Sequence, residues 1–254
     1  MKEIQQHLDR FNPISLSEMD NVKLLDRMDS KFCFHSSKLP ELLSQMIPNY
    51  RLLEVCGNKM SRYETPYYDT ENFTLYHQHQ NGIAKRFKIR HRNYLDSQLS
   101  FFEIKLKNNK GRTIKHRVRI IENNYGTDSI STNTASENLL RETTPYCVTM
   151  LYRKLTVRYS RLTFVSNTSC ERVTIDLQLT FTNESTSINF STVVIAEVKQ
   201  DKASLASPFI KLMRKQKITE GGISKYCLGV ASLYPDIKQN LFKEQIKQFK
   251  KTAA

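Results

Sequence analysis

Alternating hydrophobic and polar positions predict that the chain is built mainly from β-strands. Three neighbouring segments, residues 84–94, 100–107 and 112–120, alternate with a period of two, which is typical of half-buried strands. The turn-forming sequence NNKG joins the second and third, so we expect an antiparallel meander. Further strands are predicted in DRMDSKFCFH, YRLLEV, SRYETPYYDT, LTVRYSRLTFV, RVTIDLQLTFTN and STVVIAEVKQ. About eight long strands indicate a sandwich or a closed barrel, because closure removes exposed strand edges.

Helical spacing is confined to shorter segments. A helix is predicted within the first ~20 residues, and Asn81-Gly82 is a good stop for a helix in ENFTLYHQHQNG. Asp69, just before that helix, is predicted to cap it or to form a turn. The stretch ENNYGTDSISTNTASEN is the best internal boundary, although strands resume after it. The other predicted helices lie in KLPELLSQMI, ENLLRET, SPFIKLMRKQK, SKYCLGVASLY and the basic tail NLFKEQIKQFKK.

The polar face of the predicted meander has charges of almost one sign. In its first strand Arg86, Lys88, Arg90 and Arg92 share one parity, whereas Phe87 and Ile89 have the other. Solvated faces normally mix signs, because like charges opposite each other on adjacent strands cost roughly 0.2–1 kcal/mol per pair. Nine cations share this face with a single acid, Glu103: Arg86, Lys88, Arg90, Arg92, Lys105, Lys107, Lys115, Arg117 and Arg119.

Two interpretations of this face are open. Alternation usually means that the polar side is solvated and that the other side packs on a core. The single sign of the charges favours a face that curls inward around a polyanion, with the apolar side covered by helices. Inside such a tunnel the lower effective dielectric strengthens the attraction between the cations and a phosphate chain.

Composition supports a polyanionic ligand. The chain has 254 residues, 39% of them hydrophobic, and a formal charge of +14, which favours partners such as nucleic acid, nucleotides, polyphosphate or an anionic membrane surface. Its five cysteines include no C-x-x-C pair, so we expect a reducing compartment. We find no signal-peptide core and no apolar run long enough to span a bilayer. A cytoplasmic chain is therefore expected, and a membrane-bound partner stays open.

Two carboxylates stand among the cations at matched spacing. Glu103 precedes Lys105 by two residues, and Glu197 precedes Lys199 in the same way. These pairs form either internal salt bridges or a site where Mg²⁺ or Mn²⁺ bridges carboxylates to phosphate oxygens. Glycine-rich phosphate loops and the common hydrolase and metalloprotease motifs are absent from the sequence. Side chains must therefore hold any phosphate.

A set of ordered motifs resembles a known family. The motifs are YYDT, RFKIRHRNY, FFEIKLK, GR-x-x-K-x-R, Y-x-R, RVTID, EVK and SKY. Together they resemble the VTC domain, a polyphosphate polymerase module of the triphosphate tunnel metalloenzyme superfamily, also called CYTH-like. The resemblance implies an α+β fold, an antiparallel eight-stranded β-barrel tunnel with peripheral helices. It places an N-terminal lead-in at 1–25, the tunnel domain at 26–234 and a basic C-terminal helix or tail at 235–254.

The resemblance also implies roles for individual residues. It implies catalytic phosphate contacts by Lys31, Lys88, Arg90, Lys105, Lys115, Arg161, Arg172 and Lys225. Substrate binding is predicted for Arg86, Arg92, Lys107, Arg117, Tyr159 and Lys199. Metal binding, of Mn²⁺ or Mg²⁺, is implied for Glu197, with Glu103 as a second acid. One departure is Lys88, which offers a point charge where the eukaryotic polymerases carry the bidentate fork of an arginine.

Four functions are compatible with such a tunnel. The resemblance implies transfer of the γ-phosphate of ATP onto a polyphosphate chain, so ATP and polyphosphate are the expected partners. Attack by water would instead make the protein a tripolyphosphatase or nucleoside triphosphatase, and a non-catalytic polyphosphate-binding module is a third candidate. Single-stranded nucleic acid is not expected as a ligand, because base-stacking aromatics should share the basic face and Phe87 and Phe102 have the opposite parity.

Overall fold

One largely antiparallel sheet dominates the computed structural model, which describes residues 2–20, 28–120, 130, 134–200, 207–222 and 224–253. Two short strands, β1 and β10, were not expected from the sequence, whereas the longer ones coincide with the alternating segments. The strands are β1 (Pro13–Ile14), β2 (Met28–His35), β3 (Tyr50–Leu53), β4 (Ser61–Asp69), β5 (Arg86–Tyr94), β6 (Leu99–Lys107), β7 (Thr113–Ile120), β8 (Tyr152–Ser166), β9 (Glu171–Thr182), β10 (Ser187–Phe190) and β11 (Val193–Gln200).

The main path through the sheet runs β2-β11-β9-β8-β4-β5-β6-β7. The sheet has 11 strands in all, and β2 and β7, at the two ends of this path, do not pair with each other in the described part of the chain. The predicted closure into an eight-stranded barrel is therefore wrong for the described residues: the sheet is open, and its main path contains eight strands. The physical reason is that another segment takes the free edge of β2: Glu220 bridges Phe32, and the Gly221 N–H donates to the Lys31 carbonyl at 2.8 Å.

The open sheet is nevertheless strongly curved. Lys105 on β6 interacts electrostatically with Glu197 on β11, although β9, β8, β4 and β5 separate these strands in the sheet. Lys88 on β5 likewise interacts with Lys31 on β2. We call the concave side, which carries these charges, the inner face. The prediction of an inward-facing charged side is confirmed.

Eight α-helices occur in the described residues. The Asp69 carboxylate accepts hydrogen bonds from the N–H groups of Thr70, Leu75 and Tyr76 at 2.7–2.8 Å, which confirms its predicted capping role. No described helix is both long and apolar enough to cross a bilayer. The helices are α1 (Lys2–Asp9), α2 (Leu16–Asp20), α3 (Leu39–Met46), α4 (Thr74–Gln80), α5 (Thr134–Thr143), α6 (Pro208–Lys215), α7 (Lys225–Leu233) and α8 (Lys243–Ala253).

Helices cover the outer, apolar face of the sheet. Phe87 and Ile89 of β5 are buried in one cluster with Leu75 of α4 and Leu140 of α5. Helices α1, α3 and α6 pack in the same way on the outer side of β2, β9 and β11. Burial of each large apolar side chain contributes roughly 1.5–3 kcal/mol, so these layers fix which side of each strand faces inward.

A bulge in β9 converts part of the inner face from charged to apolar. Gln178 has a left-handed φ of 55°, and the pairing with β8 shifts register between Arg158 and Ser160. Residues after the bulge, Leu179 and Phe181, therefore join the inner apolar cluster with α7 and α8. Helix α7 approaches so closely that a Cβ on Gly229 would lie 3.0 Å from Phe181 Cδ1. The start of α7 is thus held beside the charged part of the inner face.

Candidate functional site

The first group of paired charges is centred on Glu103 in the meander. Its side chain is fully buried, and Oε2 accepts hydrogen bonds from Arg90 Nε at 2.9 Å and Nη2 at 2.7 Å. The Lys115 ammonium contacts Oε1, and Arg92 Nε lies 4.0 Å from Oε2. Burial raises the pKa of this carboxyl, but the three cations outweigh burial and hold the pKa well below its usual value. Arg90 also donates to Tyr67 Oη at 2.9 Å, so its guanidinium is rigidly oriented.

The second group is centred on Asp176 of β9. Arg161 donates to both of its oxygens, at 2.6 and 2.8 Å, and Lys225 Nζ lies 2.5 Å from Oδ2. Lys225 is the first residue of α7, whose N-cap is Ser224. The Asp176 carboxylate therefore brings together two predicted phosphate ligands that are far apart in sequence. Burial raises the pKa of Asp176, but Arg161 and Lys225 lower it to about 2.

The Asp176 pairs predict a pH dependence of stability. The folded pKa of about 2 lies below the usual 3.8, so the stabilisation is fully present above the unfolded pKa and is lost as pH falls through the folded one. Asp176→Asn should lower the free energy of unfolding by several kcal/mol near neutral pH, roughly 3–5, and by less in acid. Urea unfolding of wild type and variant between about pH 6 and about pH 3 measures this difference. A difference that stays constant across this range would contradict the assignment.

The third group is centred on Glu197 of β11. Lys199 contacts Oε1, Lys31 Nζ lies 3.9 Å from the same oxygen, and Lys199 also donates to Asp29 Oδ2 at 3.2 Å. Burial raises the pKa of Glu197, but Lys199 and Lys31 hold it well below its usual value. Both acids singled out in the sequence, Glu103 and Glu197, thus form the internal salt bridges that one interpretation predicted.

Only one of these acids offers a suitable place for a divalent cation. Mg²⁺ and Mn²⁺ prefer oxygen ligands and commonly use one or two carboxylates together with substrate phosphates. Glu197 has the Asp29 carboxylate nearby and Thr174 opposite it in register. The buried Thr174 hydroxyl has no hydrogen-bond partner among the described residues. Glu103, by contrast, is fully buried and surrounded by three cations, so its geometry fits charge pairing and not metal binding.

Glu197 and Asp29 would need oxygen ligands from the substrate to complete a metal site. No group of three or more His, Cys, Asp or Glu side chains with metal-binding geometry occurs in the described residues. A resident cation held by protein alone is therefore not supported by this donor set, whereas a cation bound together with a phosphate chain fits it.

Three lysines form a row across the meander. Lys88, Lys105 and Lys115 are paired in register on adjacent strands. Lys88 donates to Ser224 Oγ at 3.1 Å, and Lys115 contacts Glu103. Lys105 has neither a hydrogen bond nor an ion pair within the described part of the chain. The charge of Arg90, followed by burial, lowers its pKa well below the usual value, so an anion placed here would relieve strong repulsion.

The structure also gives contacts or positions for the remaining predicted cations. Arg86 donates to the Ile83 carbonyl at 2.7 Å, and Arg172 reaches the Met19 carbonyl at 3.5 Å. The exposed Arg117 lies over the Phe101 ring at 4.9 Å. Lys107 is half-buried at the end of β6. Arg172 also pairs in register with Lys199, which places it next to the Glu197 group.

A row of aromatic residues, which we call the mouth aromatics, lies on the charged face: Tyr159, Tyr63, Tyr94 and Phe101. The resemblance implied a substrate contact for Tyr159, whereas sequence reasoning missed the other three. Tyr63 stacks on Tyr159 with ring centroids 5.0 Å apart and packs on Tyr94 at 4.9 Å. Phe101 meets Tyr94 edge-on at 6.0 Å. The alternation in the sequence could have placed these rings on the charged face. Tyr94 has the same parity as Arg92, and Phe101 has the same parity as Glu103. Phe87 and Phe102, by contrast, lie on the outer face.

Comparisons with known proteins agree on a family and a fold. The family model of the VTC domain matches residues 26–234. A candidate adenylate cyclase from Bacillus halodurans is 13% identical with a TM-score of 0.52, and the match covers 78% of this chain and 94% of that one. A candidate adenylyl cyclase from Hippeastrum, described as having a dominant triphosphatase activity, is 14% identical with a TM-score of 0.51, and the match covers 81% and 96%. No curated protein matches the chain. At these identities the solved structures establish the fold alone.

Proposed function

The chain belongs to the VTC domain family, and on this premise we propose that it is a metal-dependent polyphosphate polymerase that moves the γ-phosphate of ATP onto a polyphosphate chain. The observation that carries the proposal is the lysine row on the inner face. Lys105 lies at its centre without a hydrogen bond or an ion pair in the described residues, between Lys88 and Lys115. A chain of phosphates supplies regularly spaced negative charge along such a row.

Positioning and charge stabilisation are what phosphoryl transfer chiefly requires. Arg90 is oriented by Glu103 and Tyr67, and Arg161 by Asp176. These guanidiniums are pre-organised donors for equatorial phosphate oxygens, so little reorganisation is needed during the reaction. A terminal phosphate of the acceptor is largely deprotonated near neutral pH. The proposed reaction therefore needs no dedicated general base.

Glu197 is the proposed carboxylate ligand for Mn²⁺ or Mg²⁺, with Asp29 and Thr174 beside it. Such a cation, when bound with substrate, would neutralise charge on the phosphate oxygens. Lys31 and Lys199 contact the Glu197 carboxylate. Binding of the cation would release these ammoniums to bind phosphate.

Hydrolysis is the second candidate, and the exposure of β7 favours it. Arg117 and Arg119 are exposed, and 35% of the Lys115 side chain is accessible. Water therefore reaches the lysine row from this edge, and an attacking water would convert the same site into a tripolyphosphatase or nucleoside triphosphatase.

Incubation of the protein with ATP and Mn²⁺ tests the proposal. Long chains on a gel support the polymerase, free phosphate alone supports the hydrolase, and binding without turnover supports a binding module. Lys105→Gln should reduce turnover roughly 100-fold or more, because it removes a charge that acts in a partly desolvated site. Lys110→Gln, in the exposed turn between β6 and β7, is the matched control and should retain activity. Full activity of the Lys105 variant would contradict the proposed site.

A further inference from the structure

The mouth aromatics form a second row on the inner face, displaced along the strands from the lysine row. Tyr63 pairs in register with both Tyr94 and Tyr159, so the rings cross adjacent strands β8, β4 and β5 side by side. Phe101 continues the row on β6, opposite Arg92. Tyr63 and Tyr159 are buried, whereas Tyr94 and Phe101 are only half-buried. The last two rings are therefore the ones that a ligand can reach.

Guanidinium groups flank these rings. Arg117 lies 4.9 Å from the centroid of Phe101, and Arg92 and Arg161 lie 5.7 and 5.1 Å from that of Tyr63. Arg117 is exposed, so it can lift from the ring at little cost and close over a planar group. Aromatic rings interleaved with arginines bind nucleobases by stacking, because every base presents a π-face.

We propose that Phe101, Tyr94 and Arg117 form a nucleobase subsite that selects a nucleoside triphosphate over an inorganic phosphate chain as the phosphoryl donor. The inference rests on the proposed function, because it assumes that the lysine row holds the triphosphate. Phe101 and Lys105 have the same parity on β6 and are four residues apart, or about 13 Å at the usual rise of a strand. This span leaves room for the sugar and the phosphates between ring and ammonium.

The subsite explains why aromatic rings stand among these cations. A polyphosphate chain has no group that gains from stacking, so the mouth aromatics would contribute nothing to its binding. A single-stranded nucleic acid would need further stacking positions along its track. The other aromatic residues of β5 and β6, Phe87 and Phe102, face outward into the helix-covered core. The arrangement therefore fits one base attached to a triphosphate.

Calorimetric titration with a non-hydrolysable ATP analogue and with inorganic tripolyphosphate, both with Mn²⁺, tests this subsite. Phe101→Ala should weaken binding of the analogue by roughly 5- to 150-fold, since stacking contributes about 1–3 kcal/mol per base. Its affinity for tripolyphosphate should stay unchanged. Phe101→Tyr, which keeps the ring, should bind both ligands as wild type does. Ile114→Ala, at an exposed apolar residue of β7, is the control and should bind both ligands as wild type does.

Each outcome decides between the two proposals. Equal loss of affinity for both ligands, or no loss for either, overturns the nucleobase subsite but leaves the phosphate site in place. Wild-type protein that binds neither ligand overturns the proposed function and the subsite together. Tighter binding of a single-stranded oligonucleotide than of the ATP analogue would replace the subsite with a nucleic-acid surface.

Discussion

Glu197→Gln should lower the rate of ATP turnover with Mn²⁺ by roughly 100- to 1,000-fold while the protein stays folded. The substitution keeps the shape of the side chain but removes the charge that would hold a cation beside the phosphates. Lys31 and Lys199 lose their shared partner, yet both are partly exposed and can turn to solvent or to phosphate. Metal-free binding of tripolyphosphate should therefore be as tight as in wild type, or tighter.

The loss of the metal site can be measured apart from activity. Titration of Mn²⁺ in the presence of tripolyphosphate, followed by electron paramagnetic resonance, should show weaker metal binding in Glu197→Gln. Glu184→Gln changes an exposed glutamate outside this site and should bind Mn²⁺ as wild type does. Equal Mn²⁺ affinity in the two variants would remove Glu197 from the proposed metal site.

Much of the fold was predictable because alternation reports directly on which side of a strand is buried. The parity of Phe87 and Ile89 placed them on the outer face, and both are buried there under α4 and α5. The predicted closure of the barrel was wrong because parity carries no information about strand edges. The edge of β2 is instead covered near Glu220, in a segment whose sequence shows no strand pattern.

The cations of the site were predictable, but their partners were not. Asp176 had the parity of the charged face, yet its pairing with Lys225 depends on where α7 packs. That packing depends in turn on the bulge at Gln178. No residue near this position, such as a glycine, predicts a bulge from the sequence. Arg90 on β5 donates a hydrogen bond to Tyr67 on β4. This contact could not be predicted without knowing that β4 and β5 are adjacent in the sheet.

Glu103→Gln should, like Asp176→Asn, be among the most destabilising single carboxamide substitutions in the site. The variant leaves Arg90, Arg92 and Lys115 without their shared counter-charge in a buried environment. Removal of one partner from a buried ion pair typically costs about 3–5 kcal/mol. The free energy of unfolding, measured with urea at neutral pH, should fall by that amount. Glu64→Gln, in the Glu64–Arg158 pair between β4 and β8, whose arginine is exposed, should cost less than about 1 kcal/mol.

Acid and tripolyphosphate should each reduce the stability difference between this variant and wild type, acid by destabilising wild type and tripolyphosphate by stabilising the variant. Because the folded pKa of Glu103 lies below its unfolded value, wild type loses the contribution of this carboxylate as pH falls, so the two proteins should converge in acid. Tripolyphosphate should restore stability to Glu103→Gln more than it stabilises wild type, since the ligand replaces the missing negative charge. Such a result would mean that Glu103 holds in place the same cations that bind substrate. Equal stabilisation of both proteins by tripolyphosphate would instead separate the Glu103 pairs from the phosphate site.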